Sequence, residues 1–369
     1  MMRDLANVRL RILPLLVGVL LGLPFLAVPG TQDEQAPSSG PKPGVGETVL
    51  VPKKTAPAPP AEKKEPEKIE PREVFTLSTT TNLVNVDVMV LDPNGNPIPN
   101  LGKSNFKLYD DGVPQTISNF APTEAPMTVC MLIEFSNKWW VFLYMALRDA
   151  YEFVRVIEPK DWVAVVSFDM QPQILQDFTQ DRQEVTAALD RLRIPGFSEI
   201  NLWDALAFTI DRMKDIQGRK AILVICTGID TFSKLNYDQI LKIVRSSDTA
   251  IYPISILEFV TVRYPQLETV EALQARNALG TIAKYSGGQA YFPRFEAELP
   301  SIYQQIAEQL RRQYSLGFTP SNPSKDGKYH KLKVELVDAQ GNPLKIVDQK
   351  GKTVKYRVVA REGYYAPKS

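Results

Sequence analysis

Between residues 126 and 313, apolar runs of strand length alternate with stretches of helical period. The runs are Thr128–Phe135, Trp162–Phe168, Ala221–Cys226 and Ile251–Leu257. The helical patterns lie near 138–157, 181–193, 201–217, 236–248, 268–286 and 296–313. This alternation constrains the fold more than anything else in the chain. Near-continuous apolar strands separated by helices predict an α/β domain with a doubly wound, Rossmann-like, mostly parallel sheet. Such sheets bind ligands beyond the carboxyl ends of their strands. The loops after Ile133, Phe197 and Cys226 are therefore the places to look for a site.

The flanks have a different period. Val84, Val86, Val88 and Val90 alternate with Asn85, Asp87 and Met89, which suits a half-buried strand. Asp92-Pro93-Asn94-Gly95 and Asp110-Asp111-Gly112 are turn and hairpin signals. Lys331–Val337 alternates as well, and Gln340-Gly341-Asn342-Pro343 reads as a turn. Residues 73–125 and 314–369 are expected to form one β-sandwich from both ends of the chain, with 126–313 set between them.

The start of the chain reads as a targeting segment. Arg3, Arg9 and Arg11 outweigh Asp4, and an apolar run of about 17 residues follows from Ile12 to Val28. Residues 1–30 are expected to be a cleaved export signal or an uncleaved anchor. Either places the rest of the chain in the periplasm, the cell envelope or outside the cell. Residues 31–72 hold nine prolines and balance seven acidic against seven basic residues. That composition cannot bury a core and predicts a disordered spacer, partly polyproline II.

Composition removes several classes of function. The charge sum is only +1, which argues against nucleic-acid binding. One histidine, His330, and two cysteines, Cys130 and Cys226, exclude a disulfide scaffold and a zinc site built from several His or Cys ligands. Export makes a Cys130–Cys226 disulfide conceivable, but neighbouring parallel strands seldom place Cβ atoms suitably, so buried free thiols are expected. His330 reads as an ordinary exposed strand residue beside Tyr329 and Lys331. No phosphate-binding loop or nucleophile elbow is present, so no catalytic residue is assigned and no enzyme is expected.

Three stretches carry a resemblance. They are Thr81–Val88 with Asn105–Gly112 and Gln115–Ile117; Leu202-Trp203-Asp204-Ala205-Leu206; and Tyr314–Pro320 with Asp326–Tyr329 and Glu362–Tyr365. In order and spacing they resemble the bacterial VWFA-related domain family of acidobacterial type, whose middle is a von Willebrand factor A domain. The resemblance implies a metal-ion-dependent adhesion site for Mg²⁺, formed by Asp-x-Ser-x-Ser after the first strand, a Thr before the third helix and an Asp after the fourth strand. Here the first motif reads Glu134-Phe135-Ser136-Asn137-Lys138, Ile200 follows Ser198 and Glu199 at the Thr position, and Thr227 stands at the late Asp position. Four of the five positions depart from the pattern. A lysine ammonium would repel Mg²⁺, and Ile200 offers no oxygen. The expectation is a degenerate site with no metal and no cofactor. Mg²⁺ returns only if that alignment is wrong. Lys138 either pairs with Glu134 in the ion's place or points to solvent.

Trp139, Trp140 and Phe142 cannot all join the inward stripe of Leu143, Leu147, Ala150, Val154 and Ile157. They are candidate protein contacts or are buried by the 196–200 loop or against the β-sandwich. Asp169, Asp177, Asp181 and Asp230 sit near strand ends as solvated carboxylates or parts of a displaced cation site. The resemblance implies an adhesion or scaffolding module that binds a protein through Glu134, Ser136, Lys138, Trp139, Trp140, Ser198, Glu199, Thr227 and Asp230. The alternatives are a structural subunit of an envelope complex, or a hydrolase if Asp169, Glu199 and Asp230 converge.

Overall fold

Hydrophobic runs that read as strands pair into a five-stranded sheet at the centre of the chain. In this computed structural model, residues 83–121, 126–216, 218–322, 326–347 and 351–366 are described. The segments expected to be an export signal or anchor and a disordered spacer, residues 1–30 and 31–72, lie outside them. Among the described residues, no helix is long and apolar enough to cross a membrane.

The elements in chain order are β1 (Val84–Leu91), β2 (Phe106–Asp110), β3 (Val113–Gln115), β4 (Ile117–Ala121), β5 (Met127–Glu134), α1 (Trp140–Val156), β6 (Trp162–Phe168), β7 (Pro172–Thr179), α2 (Arg182–Leu189) and α3 (Leu202–Met213). They continue with β8 (Arg219–Cys226), α4 (Tyr237–Ser246), β9 (Ala250–Ser255), α5 (Leu257–Arg263), α6 (Val270–Ser286), α7 (Leu299–Arg311), β10 (Tyr314–Phe318) and β11 (Tyr329–Leu336). The chain closes with β12 (Ile346–Val347), β13 (Thr353–Val354), β14 (Arg357–Ala360) and β15 (Gly363–Tyr365).

The central sheet has the order β7-β6-β5-β8-β9. All its pairs are parallel except β6–β7, so the carboxyl ends of β5, β6, β8 and β9 share one edge. Because β5 is buried along its whole length, its alternate residues feed two cores. Met127, Val129, Met131 and Ile133 pack with α1, α2, α5 and α7. Cys130 and Leu132 pack with α3, α4 and the end of α6. Gly288 brings the chain against β9 so tightly that a Cβ there would lie 2.0 Å from the Ile251 carbonyl oxygen.

The flanks form two four-stranded sheets, β14-β1-β10-β4 and β15-β11-β2-β3. Their core includes Val86, Val88, Val90, Phe106, Leu108, Leu316 and Phe318. The half-buried expectation for β1 holds only for its first half. Met89 and Leu91 point away from the sandwich and are 1% and 0% exposed, because they enter the core of the central sheet. Tyr252 of β9 donates its hydroxyl to the Met89 sulfur at 3.4 Å. The sandwich and the α/β domain thus share buried surface.

Two elements differ from the expectation. β7 is an antiparallel edge strand that carries no apolar run. The run Ile251–Leu257 is cut short, since β9 ends at Ser255 and Leu257 already opens α5. Cys130 and Cys226 are both free and buried. Cys130 pairs in register with Ile222, so Cys226 lies four residues further along, roughly 13 Å away. Burial pushes the Cys130 thiol up to about 12 and the Cys226 thiol well above its ordinary value, so both are inert as nucleophiles.

Candidate functional site

The carboxyl ends of β5 and β8 bring Glu134 and Thr227 together. Both side chains are fully buried, as is Ser136. Ser136 Oγ donates to Glu134 Oε1 at 2.7 Å. The Thr227 backbone N–H and its hydroxyl both donate to Glu134 Oε2, at 2.7 and 2.8 Å. Each carboxylate oxygen is therefore engaged by the protein. Burial is the main influence and pushes the Glu134 carboxyl above its ordinary value, while the three donors act the other way. The turn continues tightly: Ile229 N–H donates to Thr227 Oγ1 at 3.2 Å, and Gly228 takes the left-handed region at φ +87°.

Lys138 does not pair with Glu134. It is exposed, and its Nζ lies 5.3 Å from the centre of the Trp139 ring. The reason is local. The chain between β5 and α1 turns outward after Ser136, with Asn137 N–H donating to the Phe197 carbonyl at 2.7 Å. Residue 138 is thereby placed on the rim, while the carboxylate is closed from inside by neutral donors.

The other sequence-derived positions are distributed around this rim. Ile200 is buried among apolar side chains of the α3 side of the sheet. Its backbone holds two loops together: its N–H donates to Thr231 Oγ1 at 2.9 Å, and its carbonyl accepts from the N–H groups of Thr231 and Phe232. Ser198 and Glu199 are exposed, linked by a Ser198 N–H to Glu199 Oε2 bond of 3.1 Å. Asp230 accepts from Ser233 Oγ at 2.5 Å and from the Trp203 N–H at 3.4 Å. It thus caps the first turn of α3, a role the sequence did not suggest. Burial raises the Asp230 carboxyl. Asp204, in turn, accepts from the N–H groups of Lys234 and Leu235, both at 3.0 Å. Asp230 also lines a cavity of about 490 Å³ with Trp203, Gly228, Tyr237 and Gln274, which neither Asp169 nor Glu199 lines.

Trp139 and Trp140 are half-buried against the α1 side of the core. Trp140 meets Phe135 edge-on at 5.1 Å and Tyr144 at 5.6 Å. The exposed apolar groups near these loops are others. Val141 is 71% exposed, Phe197 52% and Phe232 49%. An alternation rule cannot find them, because they stand in loops or on the outer side of the first turn of α1.

No curated protein matches the chain. Residues 143–230 match the model of the von Willebrand factor type A domain. Among solved structures, similar chains include a variant of the PilB minor pilin from Streptococcus sanguinis, at 9% identity and TM-score 0.39, covering 51% of this chain and 62% of that one. The vWF domain of the type V pili tip protein Mfa5 from Porphyromonas gingivalis is 13% identical at TM-score 0.40, covering 51% of this chain and 95% of that one. BatB from Bacteroides thetaiotaomicron is 13% identical at TM-score 0.35, covering 50% and 98%. This chain spans less than two thirds of the pilin's length, and likenesses this weak carry no argument about function. The match over α1 to the β8 loop, together with the strand order and crossover helices described above, gives the middle of this chain a von Willebrand factor A-like α/β fold, called the A domain below.

Proposed function

We propose that this chain is an exported, tethered protein-binding module of adhesive or scaffolding type. Its contact face is the rim of loops after β5, β6 and β8, and that face works without a metal ion. The observation that carries the reading is the closed Glu134 carboxylate. Its oxygens already accept three hydrogen bonds, from Ser136 and Thr227. Mg²⁺ prefers oxygen ligands and gives up its water reluctantly. Here the residues do not fit it: the retained serine is turned onto Glu134, Thr227 donates where a carboxylate would ligate, and Ile200 is packed in the core.

The exposed Phe197 and Phe232 give the rim apolar contact area, with Lys138 and Glu199 as charged neighbours. Aromatic groups in a polar surround are the usual composition of protein contacts. The structural-subunit reading asks for a large apolar interface at Trp139 and Trp140, and both rings are half-buried against their own domain. The hydrolase reading asks Asp169, Glu199 and Asp230 to converge. Among the described residues, the close grouping of acidic and histidine side chains lies elsewhere.

The test is a photo-crosslinking residue at Phe197 or Phe232 in the full chain, in its native cell, with and without EDTA. Crosslinks to one discrete protein, unchanged by EDTA and lost when the other position is changed to serine, are expected. Crosslinking that needs Mg²⁺, or none above that from a control position on α2, overturns the reading.

A further inference from the structure

A second constellation lies in the sandwich. In the register of the sheet, Asp110 of β2 faces Leu332 of β11, and His330 of β11 faces Tyr364 of β15. Side chains alternate along a strand, so His330 shares the face of Leu332. Asp110, His330 and Tyr364 therefore lie side by side on the inward face, and they are only 6%, 9% and 8% exposed. Asp111 follows at the tip of the two-residue β2–β3 hairpin, where Asp111 and Gly112 both have positive φ.

The four side chains converge. His330 Nδ1 is 3.3 Å from Asp110 Oδ1 and 3.2 Å from Asp111 Oδ2. The far oxygen of each carboxylate is fixed from behind: the Tyr364 hydroxyl donates to Asp110 Oδ2 at 2.9 Å, and the Lys331 N–H donates to Asp111 Oδ1 at 2.9 Å. Asp110 Oδ1 is buried and has no hydrogen-bond partner. A buried carboxylate oxygen without a donor is costly unless a cation meets it.

We propose that Asp110, Asp111 and His330 bind a divalent cation of the zinc class. Around an ion with bonds of about 2.0–2.2 Å, tetrahedral ligand atoms stand roughly 3.3–3.6 Å apart, close to the separations seen at His330 Nδ1. One imidazole with two carboxylates suits Zn²⁺ or a neighbouring first-row cation. The arrangement behind the ligands fits as well. Metal-bound carboxylates are held by outer donors, as Tyr364 and the Lys331 N–H hold these. His330 Nε2 faces Asp326 Oδ1 at 3.9 Å, a carboxylate on the far side of the ring. Asp111 is half-exposed, with 51% of its side chain accessible, so a fourth position is open to water or to a partner's side chain. All these residues belong to the sandwich, so the site is separate from Glu134.

The experiment is calorimetric titration of the metal-stripped full chain with Zn²⁺, repeated on Asp110→Asn, Asp111→Asn, His330→Gln and Glu134→Gln. One Zn²⁺ per chain is expected in the parent and in Glu134→Gln. At least tenfold weaker binding is expected in the other three. Circular dichroism checks each variant, and the half-exposed Asp111→Asn decides the matter if Asp110→Asn fails to fold. No binding by the parent would overturn the inference. Binding unchanged in Asp111→Asn and His330→Gln, or lost in Glu134→Gln, overturns it too.

Discussion

Replacing Thr227 by valine keeps the shape of a fully buried side chain and removes one hydroxyl. That hydroxyl donates to Glu134 Oε2 at 2.8 Å and accepts from the Ile229 N–H at 3.2 Å. A hydrogen bond to a charged acceptor contributes about 1.5–3 kcal/mol, and orphaning a half-buried N–H adds up to about 1 kcal/mol. The expected loss is thus about 2–4 kcal/mol at pH 8, where the ionised form of Glu134 is most favoured. In a Glu134→Gln background the acceptor is neutral and the same change should cost only about 1 kcal/mol, leaving a coupling of roughly 1–3 kcal/mol. Urea unfolding followed by tryptophan fluorescence measures this directly, because all four tryptophans, at 139, 140, 162 and 203, lie in the A domain. The midpoint should fall with an unchanged slope. A loss below about 0.5 kcal/mol, or equal losses in the two backgrounds, would refute the closed carboxylate as the centre of this site.

The remaining expectations concern pH, metal and packing. Burial raises the Glu134 carboxyl in the folded chain, so the folded state holds that proton more tightly than the unfolded one. Its contribution to stability is full below the ordinary value of 4.5 and is lost as pH rises through the folded value; the Glu134→Gln difference curve should show that fall, and a flat difference would contradict it. Lys138→Ser alone should not create Mg²⁺ binding, because Lys138 is not in the Glu134 pocket; calorimetry with that variant against one also carrying Glu134→Asp, Ile200→Thr and Thr227→Asp checks this. Tyr303→Phe removes the buried bond of 2.9 Å from α7 to the Ala146 carbonyl of α1, and should lower stability by about 1–2 kcal/mol in urea. Gly288→Ala should give insoluble or unfolded chain on expression, since its Cβ would meet the β9 backbone and not a movable side chain.

The strands and helices of the A domain were legible because their apolar periods are strong. β7 was not, since an antiparallel edge strand needs no apolar run, and this one starts at Pro172 and keeps Gln173 and Ile174 exposed. α5 was hidden because Leu257 continues the apolar run of β9 and no capping side chain announces the helix. Glu134, Ser136 and Thr227 could be brought together only through the family pattern, which relates loop tips that no local period connects. The same pattern left Lys138 open between Glu134 and solvent, because a motif position says nothing about which way a loop turns; the exposed side chain takes the second course. His330 was misread for a simpler reason. Leu332 sets the inward phase of β11, and His330 stands two residues before it, so the pattern that was read already placed the imidazole inside.

The register of β4 against β10 has a mechanical consequence. Ala121, the last residue of β4 and the last described before the A domain, is paired with Ser315, the second residue of the strand that follows that domain. The chain therefore leaves and re-enters the sandwich through two bonded strands, and the described segment both begins and ends in the sandwich, at Leu83 and Ala366. A pull applied between those two points loads the sandwich sheets first, and reaches the A domain through Met89 and Leu91, which β1 sends into its core.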